Sequence, residues 1–277
     1  METQTLQTSK GTIEFTVAGK GQPLLFAHGG HFNCQVTLFH KGFDREKFKI
    51  ITPSRPGYGR TTLSGNASPA ETAELFITLL DKLNIEKAVA VGISAGGLTA
   101  IELAARFPRR ISKLVLISSI SQTWIPKHAS VYMKSRMIFK PPVERYSWKL
   151  LNFLSDVFPG LTAATIFREV STLRPPRIMQ DEIEELKKMI RKQRSYRGFE
   201  NDLKQVPGKE SLYQVNCPAL ILHSLLDNVV GIEHAEHATA TIKNASLKTY
   251  NNRWGHILWL GRESAQPIAD TLAFLQK

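Results

Sequence analysis

Residues 92–96 read Gly-Ile-Ser-Ala-Gly, a serine between two glycines, after an apolar run at 88–91 and before a helical pattern that opens at Gly97-Leu98. A serine on such a strand-to-helix turn is a nucleophile elbow. The crowded backbone requires glycine on both sides, and the turn lifts the Ser94 hydroxyl above the sheet edge. A serine hydroxyl is a weak nucleophile near neutral pH and needs a base within hydrogen-bond reach. His256 is the candidate base, because Gly255 frees its loop to swing over the elbow, and Asp227 can hold the imidazole in the required tautomer. Together these three residue types support acyl transfer through a covalent serine intermediate.

Each candidate follows a strand. Asp227 comes after the apolar run 219–223, and His256 comes after the strand-like 246–250. His28-Gly29-Gly30 ends the run 23–27, so backbone N–H groups there can face a developing oxyanion. Further strands are expected at 49–52 and 114–118, with an opening hairpin around Lys10-Gly11. Ser68-Pro69-Ala70-Glu71 supplies an N-cap, a proline at the first helical position and a capping-box glutamate ahead of Leu75, Phe76, Leu79, Leu80 and Leu83. Near-continuous apolar strands separated by helices predict an α/β fold: a mostly parallel twisted sheet with helices on both faces. In such sheets ligands belong at the strands' carboxyl ends, where all three candidates fall.

The chain resembles the α/β-hydrolase family over nearly its whole length. The resemblance rests on His28-Gly29-Gly30, the run from Ser54 through Arg55-Pro56-Gly57-Tyr58-Gly59 to Arg60, the elbow, Ser224-Leu225-Leu226-Asp227 and Gly255-His256, with serine, acid and histidine in the family's chain order. The family commonly has glycine at the position of Ser224 and often aspartate at that of Ser54. The resemblance implies a catalytic triad of Ser94, Asp227 and His256, with the amides of Gly30 and Ala95 as oxyanion donors. It also implies a cofactor-free serine hydrolase, most generically a carboxylic-ester hydrolase acting on a small apolar substrate. Carbon–carbon bond hydrolysis, lactonase, thioesterase and haloperoxidase activities use the same triad and stay open, as does a slow-turnover ligand receptor. A serine at the elbow counts against the dehalogenases and epoxide hydrolases of this fold, which use aspartate there.

Residues 119–206 interrupt the strand–helix rhythm with helical patterns punctuated by Pro126, Pro141-Pro142 and Pro159. Their position matches the family's cap insertion, so the expected organisation is core 1–118, helical cap 119–206 and core 207–277. Trp124, Met133, Met137 and Phe139 are the expected roof of the substrate pocket.

The formal charge of +12 invites a nucleic-acid reading. The segment 119–206 carries 16 Lys and Arg against 9 Asp and Glu, but its densest part spaces opposite charges helically, as in Glu184 with Lys188, which describes a solvated helix face. No nucleic-acid partner is expected. No run approaches the ~20 apolar residues of a membrane helix, and the start has no signal-like core, so the expectation is a cytoplasmic protein, monomer or homodimer, acting on a small molecule. The two cysteines have no metal or redox spacing. The stretch from Glu233 to His237 separates its histidines by three residues rather than in H-E-x-x-H, so neither metal nor cofactor is expected.

Overall fold

The computed structural model describes residues 2–124, 129–175 and 177–277; Pro126 lies outside them. The chain opens with the hairpin β1 (Gln4–Thr8) and β2 (Gly11–Ala18), then β3 (Gln22–Ala27) and β4 (Phe48–Pro53). Helix α1 (Pro69–Lys82) begins at the expected capping box: Ser68 accepts from the amide of Glu71, whose carboxylate accepts from the amide of Ser68. Next come β5 (Ala88–Ile93), α2 (Gly97–Arg106) and β6 (Ile111–Ile117). Among the described residues five α-helices follow before the next strand: α3 (Ser130–Phe139), α4 (Val143–Val157), α5 (Pro159–Val170), α6 (Gln180–Ile190) and α7 (Gly198–Asp202). The chain closes with β7 (Ala219–Ser224), α8 (Ile232–Thr241), β8 (Ala245–Tyr250) and α9 (Ala265–Gln276).

The eight strands of the described residues form one sheet in the order β1-β2-β4-β3-β5-β6-β7-β8. Pairing is parallel from β4 through β8, while β1–β2 and β2–β4 are antiparallel. The period-2 pleat sorts side chains into two cores. Leu24, Phe26, Val89, Val91, Val115, Ile117, Leu220 and Leu222 face α9 and the inserted helices. Their neighbours Leu25, Ala27, Ala88, Ala90, Leu114, Leu116 and Ile221 face α1, α2 and α8. Burial on both faces explains why these strands read as continuous apolar runs rather than alternating ones. The edge strands β1 and β8 are the exceptions, with partly or fully exposed residues throughout.

Cys34 is fully buried and Cys217 half-buried, both as free thiols, and burial pushes each up to about 11. No described helix is long and apolar enough to cross a membrane.

Candidate active site

Strand β5 runs into Ser94, whose φ of +50° is a left-handed conformation that costs a side chain about 1–2 kcal/mol and is held by its surroundings. The flanking glycines are required sterically. A Cβ on Gly92 would stand 2.7 Å from that of Ala100, and one on Gly96 would stand 2.1 Å from the carbonyl oxygen of Ala27. The elbow is thus pressed against α2 on one side and β3 on the other.

Two loops meet it. Nε2 of His256 lies 3.0 Å from Oγ of Ser94, and Nδ1 lies 2.8 Å from Oδ2 of Asp227. The other carboxylate oxygen of Asp227 accepts from the amides of Val229 and Val230 at 2.8 and 2.9 Å. Burial opposes its charge, but the His256 imidazole and these hydrogen bonds outweigh that and hold the carboxyl below the ordinary range. With an ionised acceptor at Nδ1, His256 donates there and leaves Nε2 to accept from Ser94. His223 stands 3.6 Å from the same carboxylate, and burial lowers its pKa. Ser224, where glycine is common, donates to the carbonyl of Asn252 and accepts from the amide of Leu226. It ties the loop of Asp227 to that of His256.

The inserted helices grip the same two loops. The amide of His256 donates to the carbonyl of Val170 at 2.9 Å, that of Thr172 donates to the carbonyl of Leu226 at 3.0 Å, and Ser171 pairs with Asp227 in an isolated bridge. Buried Glu182 of α6 accepts from the indole N–H of Trp254 and from the Arg253 guanidinium, two residues just ahead of Gly255-His256.

A second buried network holds the glycine loop. Arg55 and Asp202 form a bidentate pair at 2.6 and 2.7 Å, and Tyr58 donates to the same carboxylate at 2.6 Å. Arg55 also donates from its amide to Nε2 of His28 and from Nε to the His28 carbonyl. Burial first, then the Arg55 charge, hold the His28 pKa well below its ordinary value, so this histidine is a neutral brace. The amides of Gly30 and Ala95 take part in none of the loop and turn hydrogen bonds, and both residues border the cavity above Ser94.

That cavity measures about 700 Å³. Trp124 and Phe139 line it, as do Phe32, Trp148 and Phe199. Met133 and Met137 do not; they are 56% and 66% exposed. At 100° per residue, Ser135 and Phe139 of α3 turn toward the cavity, and Met133 and Met137, two residues out of step, point the opposite way. The expected roof is corrected accordingly: Met133 and Met137 lie outside it, while Trp148, one of the apolar residues of the segment 119–206, and Phe199, which the sequence pattern does not single out, border the cavity.

The family model of the alpha/beta hydrolase fold matches residues 22–260, and the chain belongs to that family. An uncharacterized hydrolase, YcgS, of Bacillus subtilis is 38% identical, covering 99% of this chain and 98% of its own. A 2-hydroxy-6-oxononadienedioate/2-hydroxy-6-oxononatrienedioate hydrolase of Burkholderia vietnamiensis is 25% identical over 92% and 87% of the two chains. An alpha/beta hydrolase fold protein from Nakamurella multipartita superposes with a TM-score of 0.84 at 23% identity, covering 98% of each chain.

Proposed function

We propose that the protein is a serine hydrolase of small, apolar carboxylic esters, with Ser94 as nucleophile, His256 as general base and Asp227 as its orienting carboxylate. The observation that carries this reading is the run of contacts from Asp227 to His256 to Ser94, at 2.8 and 3.0 Å, beneath a mainly apolar cavity. In the first half-reaction Ser94 Oγ attacks the ester carbonyl carbon while its proton passes to Nε2 of His256. The tetrahedral oxyanion accepts from the amides of Gly30 and Ala95, each worth roughly 3 kcal/mol. Collapse expels the alcohol, which takes the proton from His256 and leaves an acyl-Ser94 ester. Water, deprotonated by His256, then attacks that ester and restores the serine. Serine, imidazole and water supply every proton and electron pair in this sequence, so it requires no cofactor.

An ester is favoured over the dioate substrates in the name of one relative because the described cavity lining contains no lysine or arginine to meet a carboxylate. The test is turnover of 4-nitrophenyl acetate, butyrate and octanoate by the wild type and by Ser94→Ala. Release that is fastest with one of the shorter chains and abolished by the substitution is expected; equal release by the two proteins overturns the reading.

A further inference from the structure

His31 follows directly on Gly29-Gly30 with φ +64°, a left-handed conformation that a non-glycine residue seldom adopts. Its ring is packed among three others. It stacks on Phe199 with centroids 3.9 Å apart, and it lies 4.4 Å from Phe139 and 5.3 Å from Trp148. Nδ1 lies 2.7 Å from Oγ of Ser195, which in turn lies 2.7 Å from the indole nitrogen of Trp148. An indole N–H only donates, so Ser195 Oγ accepts from Trp148. Ser195 is fully buried, and its own hydroxyl proton has Nδ1 of His31 as the acceptor within reach. Nδ1 therefore accepts, and the ring proton sits on Nε2. Burial lowers the His31 pKa to about 3, so the ring is a neutral donor in neutral solution.

No acceptor among the described residues takes the Nε2 proton, and His31 is only partly buried. The open space that His31 borders is the cavity over Ser94. The sheet order fixes the side on which it stands. Strand β3, which leads into His31, and strands β7 and β8, which lead into Asp227 and His256, lie on opposite sides of β5. A base must reach the leaving oxygen, so the alcohol departs on the β7–β8 side and the acyl chain extends on the side of His31.

We propose that the Nε2–H of His31 is a specificity-determining donor for an uncharged acceptor oxygen, such as a ketone, carried by the otherwise apolar acyl chain of the substrate. The proposal rests on the ester-hydrolase reading of Ser94 and names its substrate class. Among the described lining residues the only formal charges are the exposed Glu169 and Glu233, which disfavour a carboxylate in the same place.

The test is a series of 4-nitrophenyl heptanoates with a ketone at C4, C5 or C6, compared with plain heptanoate and with the monoester of heptanedioate. In the wild type one keto ester should exceed plain heptanoate in kcat/KM by about tenfold, the scale of one neutral hydrogen bond. The ratio should fall to near one in His31→Phe and in Ser195→Ala, which removes the relay that fixes the tautomer. A ratio near one at every position in the wild type overturns the proposal, as does a ratio that survives His31→Phe. Equal losses on keto and plain substrates in both variants mean that the ring serves packing alone and also overturn it. Preference for the heptanedioate monoester refutes the uncharged acceptor. Binding of the same esters to Ser94→Ala, followed by tryptophan fluorescence, reads the ratio without turnover. If the wild type hydrolyses none of them, the ester-hydrolase reading fails, and the binding ratio still decides the role of His31.

Discussion

Val170 holds His256 by its backbone: the histidine amide donates to the Val170 carbonyl at 2.9 Å, so the last residue of α5 fixes the loop that reaches Ser94. The inserted helices therefore act on the proposed triad through main-chain bonds as well as through the cavity wall. Gly255, with φ +51°, is what allows the approach, since a Cβ there would stand 2.2 Å from the same carbonyl oxygen.

Gly255→Ala is accordingly expected to displace His256 from Ser94. A shift of about 1 Å lowers turnover on the order of a hundredfold. Steady-state kcat measures it, with circular dichroism as the check on folding; unchanged kcat would mean that the loop yields without moving the imidazole.

A serine-directed phosphonate should label Ser94. Labelling should vanish in Ser94→Ala and fall sharply in His256→Ala, and Asp227→Asn should lower kcat by about four orders of magnitude by presenting the wrong tautomer. Intact-mass spectrometry counts the adduct, and an adduct retained in Ser94→Ala would move the nucleophile elsewhere.

The two sides of α3 separate chain-length selectivity from packing. Phe139→Ala should shift the kcat/KM ratio between butyrate and octanoate esters by about tenfold, the scale of one or two methylenes in an apolar pocket. Met137→Ala, on the outer face, should leave that ratio alone. Reversal of the two outcomes would put the pocket on the other side of α3.

Asp202 neutralises a fully buried guanidinium, and an unpartnered charge there is costly. Asp202→Asn should destabilise the fold by about 3–5 kcal/mol, read from the denaturant midpoint. Replacing both partners, Arg55→Met with Asp202→Leu, should cost less than the sum of the single changes; strict additivity would deny their coupling.

Acid should unfold the protein from an unusually high pH. Burial lowers the pKa of His31 from 6.5 to about 3 and of His40 from 6.5 to about 4. Below 6.5 the unfolded chain therefore takes up protons that the native state refuses. Their contribution is fully present above 6.5 and is lost as pH falls toward the folded values, at roughly 1.4 kcal/mol per pH unit for each such histidine. Denaturant midpoints at pH 7.5, 6 and 5 should fall steeply for the wild type and less so for His31→Phe; parallel slopes would contradict the burial of that ring.

The strands, the elbow and the capping box of α1 are legible because each is encoded within about ten consecutive residues, by apolar runs, paired glycines or a cap. What escaped depends on distant partners. Arg55 and Tyr58 stand inside a readable motif, but Asp202 lies 147 residues from Arg55, and Ser195 lies 164 residues from His31. Nothing local marks either pairing. Helix α3 has apolar residues on both of its sides, so its pattern does not reveal which side faces inward, and Met133 and Met137, expected in the roof together with Phe139, are exposed.

Cys34 and Cys217 have thiols pushed up to about 11, and the thiolate is the form that alkylates. At neutral pH both native sulfurs should stay silent toward maleimide dyes. A single cysteine introduced at exposed Met137 would then carry a fluorophore on α3 against an unlabelled background. The wild-type sequence is in effect ready for site-specific spectroscopy of the helices above Ser94, without first replacing either native cysteine.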